Sequence, residues 1–135
     1  MTKPILCLDF DGVLHSYTSG WKGADTISDP PVPGAMKFIS EAVNNFTVQI
    51  FSSRSSQPGG RNAMQCWVGK WLCSEFQGDG HDIADQLAYP TEKPAAFITI
   101  DDRALTFTGE WPTMEALKEF KPWNKKPPAT NANPS

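Results

Sequence analysis

The sequence has few cysteines, and none of them stands in a pattern that builds a site. Cys7, Cys66 and Cys73 are odd in number and include no Cys-x-x-Cys pair, which argues against both a disulfide framework and a zinc site. Cys66 and Cys73 fall on one predicted helix. All three cysteines are expected to be small hydrophobic residues of the core.

Long apolar segments and a strong net charge are also lacking. No apolar run approaches about 18 residues, so neither a membrane span nor a signal peptide is predicted, and a reducing cytoplasm is the expected location. The net charge of −3 gives no overall electrostatic footprint for nucleic acid, although a local basic patch remains compatible with it. With 135 residues, 39% hydrophobic and 20% charged, the chain fits one globular domain with a real core.

Short apolar runs alternate with helical patterns along the chain. Helices are predicted at 34–44, 62–76 and 112–120, and strands at 5–8, 47–51 and 96–100, with a small edge strand at 105–107. Strands that alternate with helices favour a central, mainly parallel sheet. The predicted fold class is therefore α/β, a Rossmann-like three-layer sandwich, with residues 1–125 as one domain.

Three segments lack such periodicity. Residues 13–33 are rich in Gly, Ser, Asp and Pro and are interpreted as a flap, either a binding loop or a plain surface loop with Trp21 folded on the core. Residues 77–85 are polar and are predicted to be a solvated loop, since their acidic spacing does not match a calcium loop. Residues 126–135 are predicted to be a disordered tail.

Two carboxylates follow the first predicted strand directly. Ile5–Leu8 runs into Asp9, and Asp11 follows two residues later, on the same side of an extended chain. Gly12 then allows a sharp turn. Ligands of open α/β sheets bind at the carboxyl ends of the strands, although a strand followed by an ordinary Asp-Gly turn would carry the same residues.

More acidic residues follow a later strand. Parallel strands bring their carboxyl ends to one edge of the sheet, so four carboxylates are predicted to converge there: Asp9, Asp11, Asp101 and Asp102. Without a cation they would repel one another. Ligands that are all oxygen indicate a hard divalent ion, and Mg²⁺ is the predicted cofactor.

Ser52 and Lys93 supply what a phosphoryl group needs besides a metal. Ser52 follows the second predicted strand and offers a hydroxyl donor, and Lys93 precedes the third and offers a positive charge. Arg54 could contact a leaving group, but a structural ion pair is the favoured interpretation. His15 lies near the site in sequence, and a structural role is at least as well supported as catalysis.

The order of these residues, from Asp-x-Asp through Ser and Lys to Asp-Asp, closely resembles the haloacid dehalogenase superfamily, over residues 5–103. The resemblance implies that Asp9 is the nucleophile and that Asp11 is the general acid and base, with its backbone carbonyl on Mg²⁺. It also implies that Asp101 and Asp102 bind the metal, one of them directly. Ser52 and Lys93 match the residues that face the phosphate.

The resemblance implies a Mg²⁺-dependent phosphomonoesterase that forms an aspartyl-phosphate. No segment is long enough for a large cap domain, so a capless member is expected, with a phosphorylated substrate and no membrane partner. Nucleotides or nucleic-acid phosphate ends are the preferred substrates, with sugar phosphates as the alternative. A phosphate-binding relative without turnover is a competing hypothesis. A receiver domain is disfavoured, because receivers have no terminal Asp-Asp pair.

Overall fold

The computed structural model describes residues 2–123 and divides into two compact units, Met1–Asp101 and Asp102–Ser135. The first unit contains three strands and three helices, β1 (Ile5–Leu8), α1 (Ala35–Asn45), β2 (Thr47–Ile50), α2 (Gly60–Phe76), α3 (Gly78–Ala84) and β3 (Ile98–Ile100). The second contains α4 (Met114–Lys118). The predicted tail at 126–135 lies outside the described residues.

The sheet of the first unit has β1 at its centre. Its order is β2-β1-β3, and both pairings are parallel, with Leu8 opposite Ile50 on one side and Ile100 on the other. A further parallel bridge joins Gln49 to Ala88 on the outer side of β2. The predicted α/β class with a parallel sheet is confirmed.

The hydrophobic core lies between one face of this sheet and the helices α1 and α2. Residues of β1 and β2 that share a face, such as Leu6 and Val48, belong to one buried cluster with Ile39 of α1 and Val68 of α2. The helix α1 forms because its apolar residues recur at helical spacing, so that one stripe is buried. The core therefore fixes the strands from one side and leaves their carboxyl ends accessible.

Two predictions for the α2–α3 region are wrong. Residues 78–84 form the helix α3 rather than a loop, and a Cβ on Gly80 would lie 2.6 Å from the Leu72 backbone, so only glycine permits this close helix packing. Cys66 is exposed, because it lies off the stripe that α2 buries, whereas Cys7 is buried as expected.

The second unit carries little regular structure in its described part. Its helix α4 begins after Thr113, whose side chain accepts a hydrogen bond from the Ala116 N–H. Residues 105–107 form no strand in the described chain, so the predicted edge strand is wrong. A cavity of about 770 Å³ in this unit is mainly apolar, and Glu110 is its one charged lining residue. It therefore offers no basic side chain that could bind a phosphate.

Among residues 2–123, no helix combines the length and the hydrophobicity needed to cross a membrane.

Candidate functional site

A pocket of about 160 Å³ lies at the carboxyl end of the sheet, within the first unit. We call it the strand-end pocket, and it is lined by Cys7, Asp9, Phe51, Ser52, Ser53, Lys93, Thr99 and Asp101. Four of the predicted site residues therefore line one cavity, Asp9, Ser52, Lys93 and Asp101. They are far apart in sequence, and the parallel strands bring them together.

Strand pairing places the acidic residues of this pocket side by side. The Asp9 N–H donates to the Ile100 carbonyl at 3.0 Å, and the Phe51 N–H donates to the Leu8 carbonyl at 3.1 Å. Since Leu8 is level with Ile100, the next residues of the two strands, Asp9 and Asp101, lie at the same height. Both are at least partly accessible to solvent.

The acidic residues offer a donor set that suits a cation. One carboxylate oxygen each from Asp9, Asp101 and Asp102 lie within 4.8 Å of one another. Asp102 follows Asp101 directly in the chain and is partly accessible to solvent. Oxygen donors alone, with two or more carboxylates, fit Mg²⁺ better than zinc or copper.

Ser52 lines the pocket, but its side chain has partners in its own loop. Its hydroxyl accepts a hydrogen bond from the Arg54 N–H at 3.0 Å and contacts the Met64 sulfur at 3.5 Å. Ser53 is exposed and lines the same pocket. Lys93 is exposed as well, so its ammonium group can reach a bound anion without a burial cost.

Asp11 lies in different surroundings, which we call the Asp11 network, formed by Asp11, His15, Asp29 and Arg54. The Asp11 carboxylate accepts two bonds from the Arg54 guanidinium, Nε to Oδ2 at 2.9 Å and Nη2 to Oδ1 at 3.1 Å. His15 Nδ1 contacts Oδ1 at 2.8 Å. The carboxylate of Asp11 is therefore held on both oxygens and does not belong to the acidic cluster.

The surroundings of Asp11 act on its pKa in opposite directions. Burial is the largest single influence and raises the pKa, because it penalises the charged form. Hydrogen bonds from His15 and Arg54, together with the guanidinium charge, outweigh burial and bring the pKa below its ordinary value. The network thus favours the carboxylate form of Asp11.

Arg54 is fully buried and connects Asp11 with the flap. Its Nη1 donates to the carbonyl oxygens of Gly23 and Ala24, both at 2.9 Å, and lies 3.2 Å from that of Thr26. The Trp21 ring covers the guanidinium, with 4.8 Å from Cζ to the ring centroid. The structural ion pair favoured for Arg54 is confirmed.

The flap is fixed at its root by His15 and Asp29. The Asp29 N–H donates to His15 Nε2 at 3.1 Å, so in this arrangement Nδ1 carries the ring proton that points to Asp11. The Asp29 carboxylate accepts bonds from the Ser19 N–H and hydroxyl, and its carbonyl accepts one from the Trp67 indole. Hydrogen bonds from the Ser19 hydroxyl and N–H lower the pKa of Asp29.

The sequence analysis gave Asp29 no role and did not pair Arg54 with Asp11. Arg54 and Asp11 lie 43 positions apart, and no spacing rule connects them. The one available indication was a charged Arg directly after a strand end, in a loop that otherwise consists of small polar residues.

No protein-family model matches the chain, and no curated protein matches it with significant similarity.

Proposed function

We propose that this chain is a Mg²⁺-dependent phosphomonoesterase, a capless relative of the haloacid dehalogenase superfamily with the three-layer Rossmann-like architecture of that group. One observation carries the proposal. Asp9, Lys93 and Asp101 line a single pocket at the end of the central strand. A nucleophile, a phosphate-facing cation and a metal-binding carboxylate are the parts that phosphoryl transfer needs.

The size of the strand-end pocket supports recognition of a small charged group. Its volume of about 160 Å³ is below the range of about 300–1,000 Å³ typical of cavities that enclose whole ligands. A phosphoryl group can enter while the rest of the substrate stays outside. This arrangement suits an enzyme without a cap.

The reaction proceeds in two steps. A carboxylate oxygen of Asp9 bonds to phosphorus while the ester P–O bond breaks, and Asp11 gives the leaving oxygen a proton. For this step Asp11 must be protonated, against the preference of its network for the carboxylate form. Water then adds to phosphorus and loses a proton to the Asp11 carboxylate, and the acyl-phosphate P–O bond breaks to regenerate Asp9. Lys93 and the hydroxyl groups of Ser52 and Ser53, which line the same pocket, stabilise the phosphoryl oxygens.

Mg²⁺ would be held by Asp9, Asp101 and Asp102, with the backbone carbonyl of Asp11 as the resemblance implies. When bound, it would neutralise charge on the phosphoryl oxygens.

A second candidate is a module that binds phosphate without turnover. The observation in its favour is the Asp11 network, because Arg54 and His15 occupy much of the carboxylate that must exchange protons. This candidate keeps the same pocket and the same cation. It differs in predicting tight binding of phosphate with no release of product from esters.

The substrate class is a nucleotide, a nucleic-acid phosphate end or a sugar phosphate. A polynucleotide would need basic residues along its path. Arg54 is buried, and Arg61 donates to the Tyr89 carbonyl at 2.6 Å, whereas Lys22 in the flap is exposed. This weakens the case for long polynucleotides and leaves mononucleotides and sugar phosphates.

The experiment is release of phosphate from an aryl phosphate ester with added Mg²⁺ or with a chelator. Wild type is compared with Asp9→Asn, which keeps the shape of the side chain and removes its nucleophilic oxygen. Turnover that requires Mg²⁺ and vanishes in the variant supports the phosphatase. Absence of turnover across aryl, nucleotide and sugar phosphates, with phosphate still bound, would favour the binding module instead.

A further inference from the structure

Arg54 does not line the strand-end pocket, and each of its three guanidinium nitrogens bonds elsewhere. Its Nε and Nη2 bond to the two oxygens of Asp11, and its Nη1 bonds to flap carbonyls at Gly23, Ala24 and Thr26. The side chain is buried, and Trp21 covers the guanidinium. A direct contact between Arg54 and a substrate phosphate would break this arrangement.

The same bonds fix how Asp11 can react. Oδ1 accepts from both His15 and Arg54, whereas Oδ2 accepts from Arg54 Nε alone. Each carboxylate oxygen can accept about two hydrogen bonds, so Oδ2 is the oxygen with remaining capacity. A planar guanidinium that bonds to both oxygens also stops the carboxylate from rotating.

We propose that Arg54 is a positioning residue that joins Asp11 and the flap into one unit and holds the Asp11 carboxylate in the orientation in which Oδ2 exchanges protons. The proposal rests on the proposed function for the identity of the reaction. It extends that function by assigning the reacting oxygen and by making the contacts between Arg54 and the flap a condition of proton transfer. Lysine cannot replace arginine here, since it lacks the two-pronged geometry.

The first test uses leaving groups of different basicity. A good leaving group, such as a nitrophenolate, departs with little protonation, whereas an alkoxide requires an acid. We expect Arg54→Lys to lower kcat/KM by about 10-fold for nitrophenyl phosphate and by about 10²–10³-fold for alkyl phosphates. Arg61→Lys is the matched control, because Arg61 lies outside the network and bonds to a backbone carbonyl.

Uniform loss over the whole ester series would overturn the proposal, because a purely structural defect lowers every rate by the same factor. Equal activity of Arg54→Lys and wild type would overturn it as well.

The second test does not require turnover. Lys22 is an exposed trypsin site in the flap, and Lys70 is an exposed site within α2 that needs helix opening for cleavage. We expect Arg54→Lys and Asp11→Asn to speed cleavage after Lys22 by about 10-fold or more, with cleavage after Lys70 much less affected. Arg61→Lys should leave both rates close to wild type.

The two tests separate the two hypotheses. If wild type releases no phosphate from any ester, the proposed function fails, and the proteolysis still decides whether Arg54 couples Asp11 to the flap. Cleavage after Lys22 that stays at the wild-type rate in Asp11→Asn would overturn the coupling. So would parallel acceleration at Lys22 and Lys70, because it would indicate a general loss of stability.

Discussion

Asp9 and Asp11 are two residues apart, yet their surroundings differ sharply. Asp9 lines an accessible pocket with Lys93 and Asp101, whereas Asp11 lies in a buried network with Arg54. Substitutions around Asp9 should therefore change phosphate and cation binding with little effect on folding. Substitutions around Asp11 should change folding as well as activity. Under the proposed function, these different surroundings correspond to different roles, with Asp9 as the nucleophile and Asp11 as the proton carrier.

The largest expected effect is on the Asp9 side. Asp9→Asn should lower kcat on the order of 10³-fold or more, because the attacking oxygen is lost. The free energy of unfolding, measured by urea titration, should stay within about 0.5 kcal/mol of wild type or rise, since charge repulsion in the acidic cluster is relieved. If Asp9→Asn kept its activity, or unfolded much more easily than wild type, Asp9 would not be a residue that serves activity rather than folding.

Arg54→Ala and Lys93→Ala should separate stability from activity. Arg54→Ala leaves the partly buried Asp11 carboxylate without its two bonds to the guanidinium and with His15 as its remaining partner, so we expect a loss of about 3 kcal/mol in the free energy of unfolding. Lys93→Ala removes an exposed side chain, so stability should change by about 0.5 kcal/mol or less, while kcat/KM falls about 10²-fold. Denaturant titration and steady-state kinetics measure both. Similar destabilisation by the two variants would contradict the distinction between the strand-end pocket, which serves activity, and the Asp11 network, which also serves folding.

Two glycines of α2 test how closely the Asp11 side is packed. A Cβ on Gly60 would lie 1.9 Å from the Arg54 carbonyl oxygen, whereas nothing lies within 4 Å of one on Gly69. Gly60→Ala should destabilise the protein by about 2 kcal/mol, and Gly69→Ala should stabilise the helix by about 0.5–1 kcal/mol. Thermal unfolding of both variants checks this pair. Equal melting temperatures would show that the loop after β2 adjusts easily.

The smallest expected effect is on the stability of the protein at acidic pH, through Asp29. The pKa of Asp29 is lowered in the folded state by Ser19, so this carboxylate stabilises the fold above its unfolded pKa of about 3.9. That contribution is lost as the pH falls through the lower folded pKa. Asp29→Asn should therefore lose less stability than wild type between about pH 5 and pH 3. If the urea midpoints of both proteins fell by the same amount across this pH range, Asp29 would make no contribution to the acid sensitivity of the fold.

Much of the first unit could be predicted from the sequence. The strands at Ile5–Leu8 and Thr47–Ile50 and the helices α1 and α2 follow from local apolar patterns, and the parallel sheet follows from their alternation. The meeting of Asp9 and Asp101 also followed, because parallel strands align their carboxyl ends, whereas the place of Lys93 in the same pocket was expected from the family resemblance alone. Both inferences need only the apolar pattern of short segments and the order of those segments along the chain.

Other features of the first unit could not be predicted, because they depend on contacts between residues that are distant in the sequence. The helix α3 has no apolar stripe, and it exists where Gly80 allows close packing on α2. The ion pair of Arg54 with Asp11 joins the segments that follow β1 and β2, which the pairing of these two strands brings together. Cys66 was predictable in principle, since its angle around α2 places it away from Met64 and Val68.

The most direct test of the central claim is to trap the phosphoenzyme and locate it. An aspartyl-phosphate is reduced by borohydride to homoserine, and peptide mass spectrometry identifies the position. After turnover with Mg²⁺ and an aryl phosphate, homoserine is expected at position 9 and not at position 11. Homoserine at position 11, or rapid turnover with neither residue modified, would contradict the assignment of Asp9 as the nucleophile and Asp11 as the proton carrier.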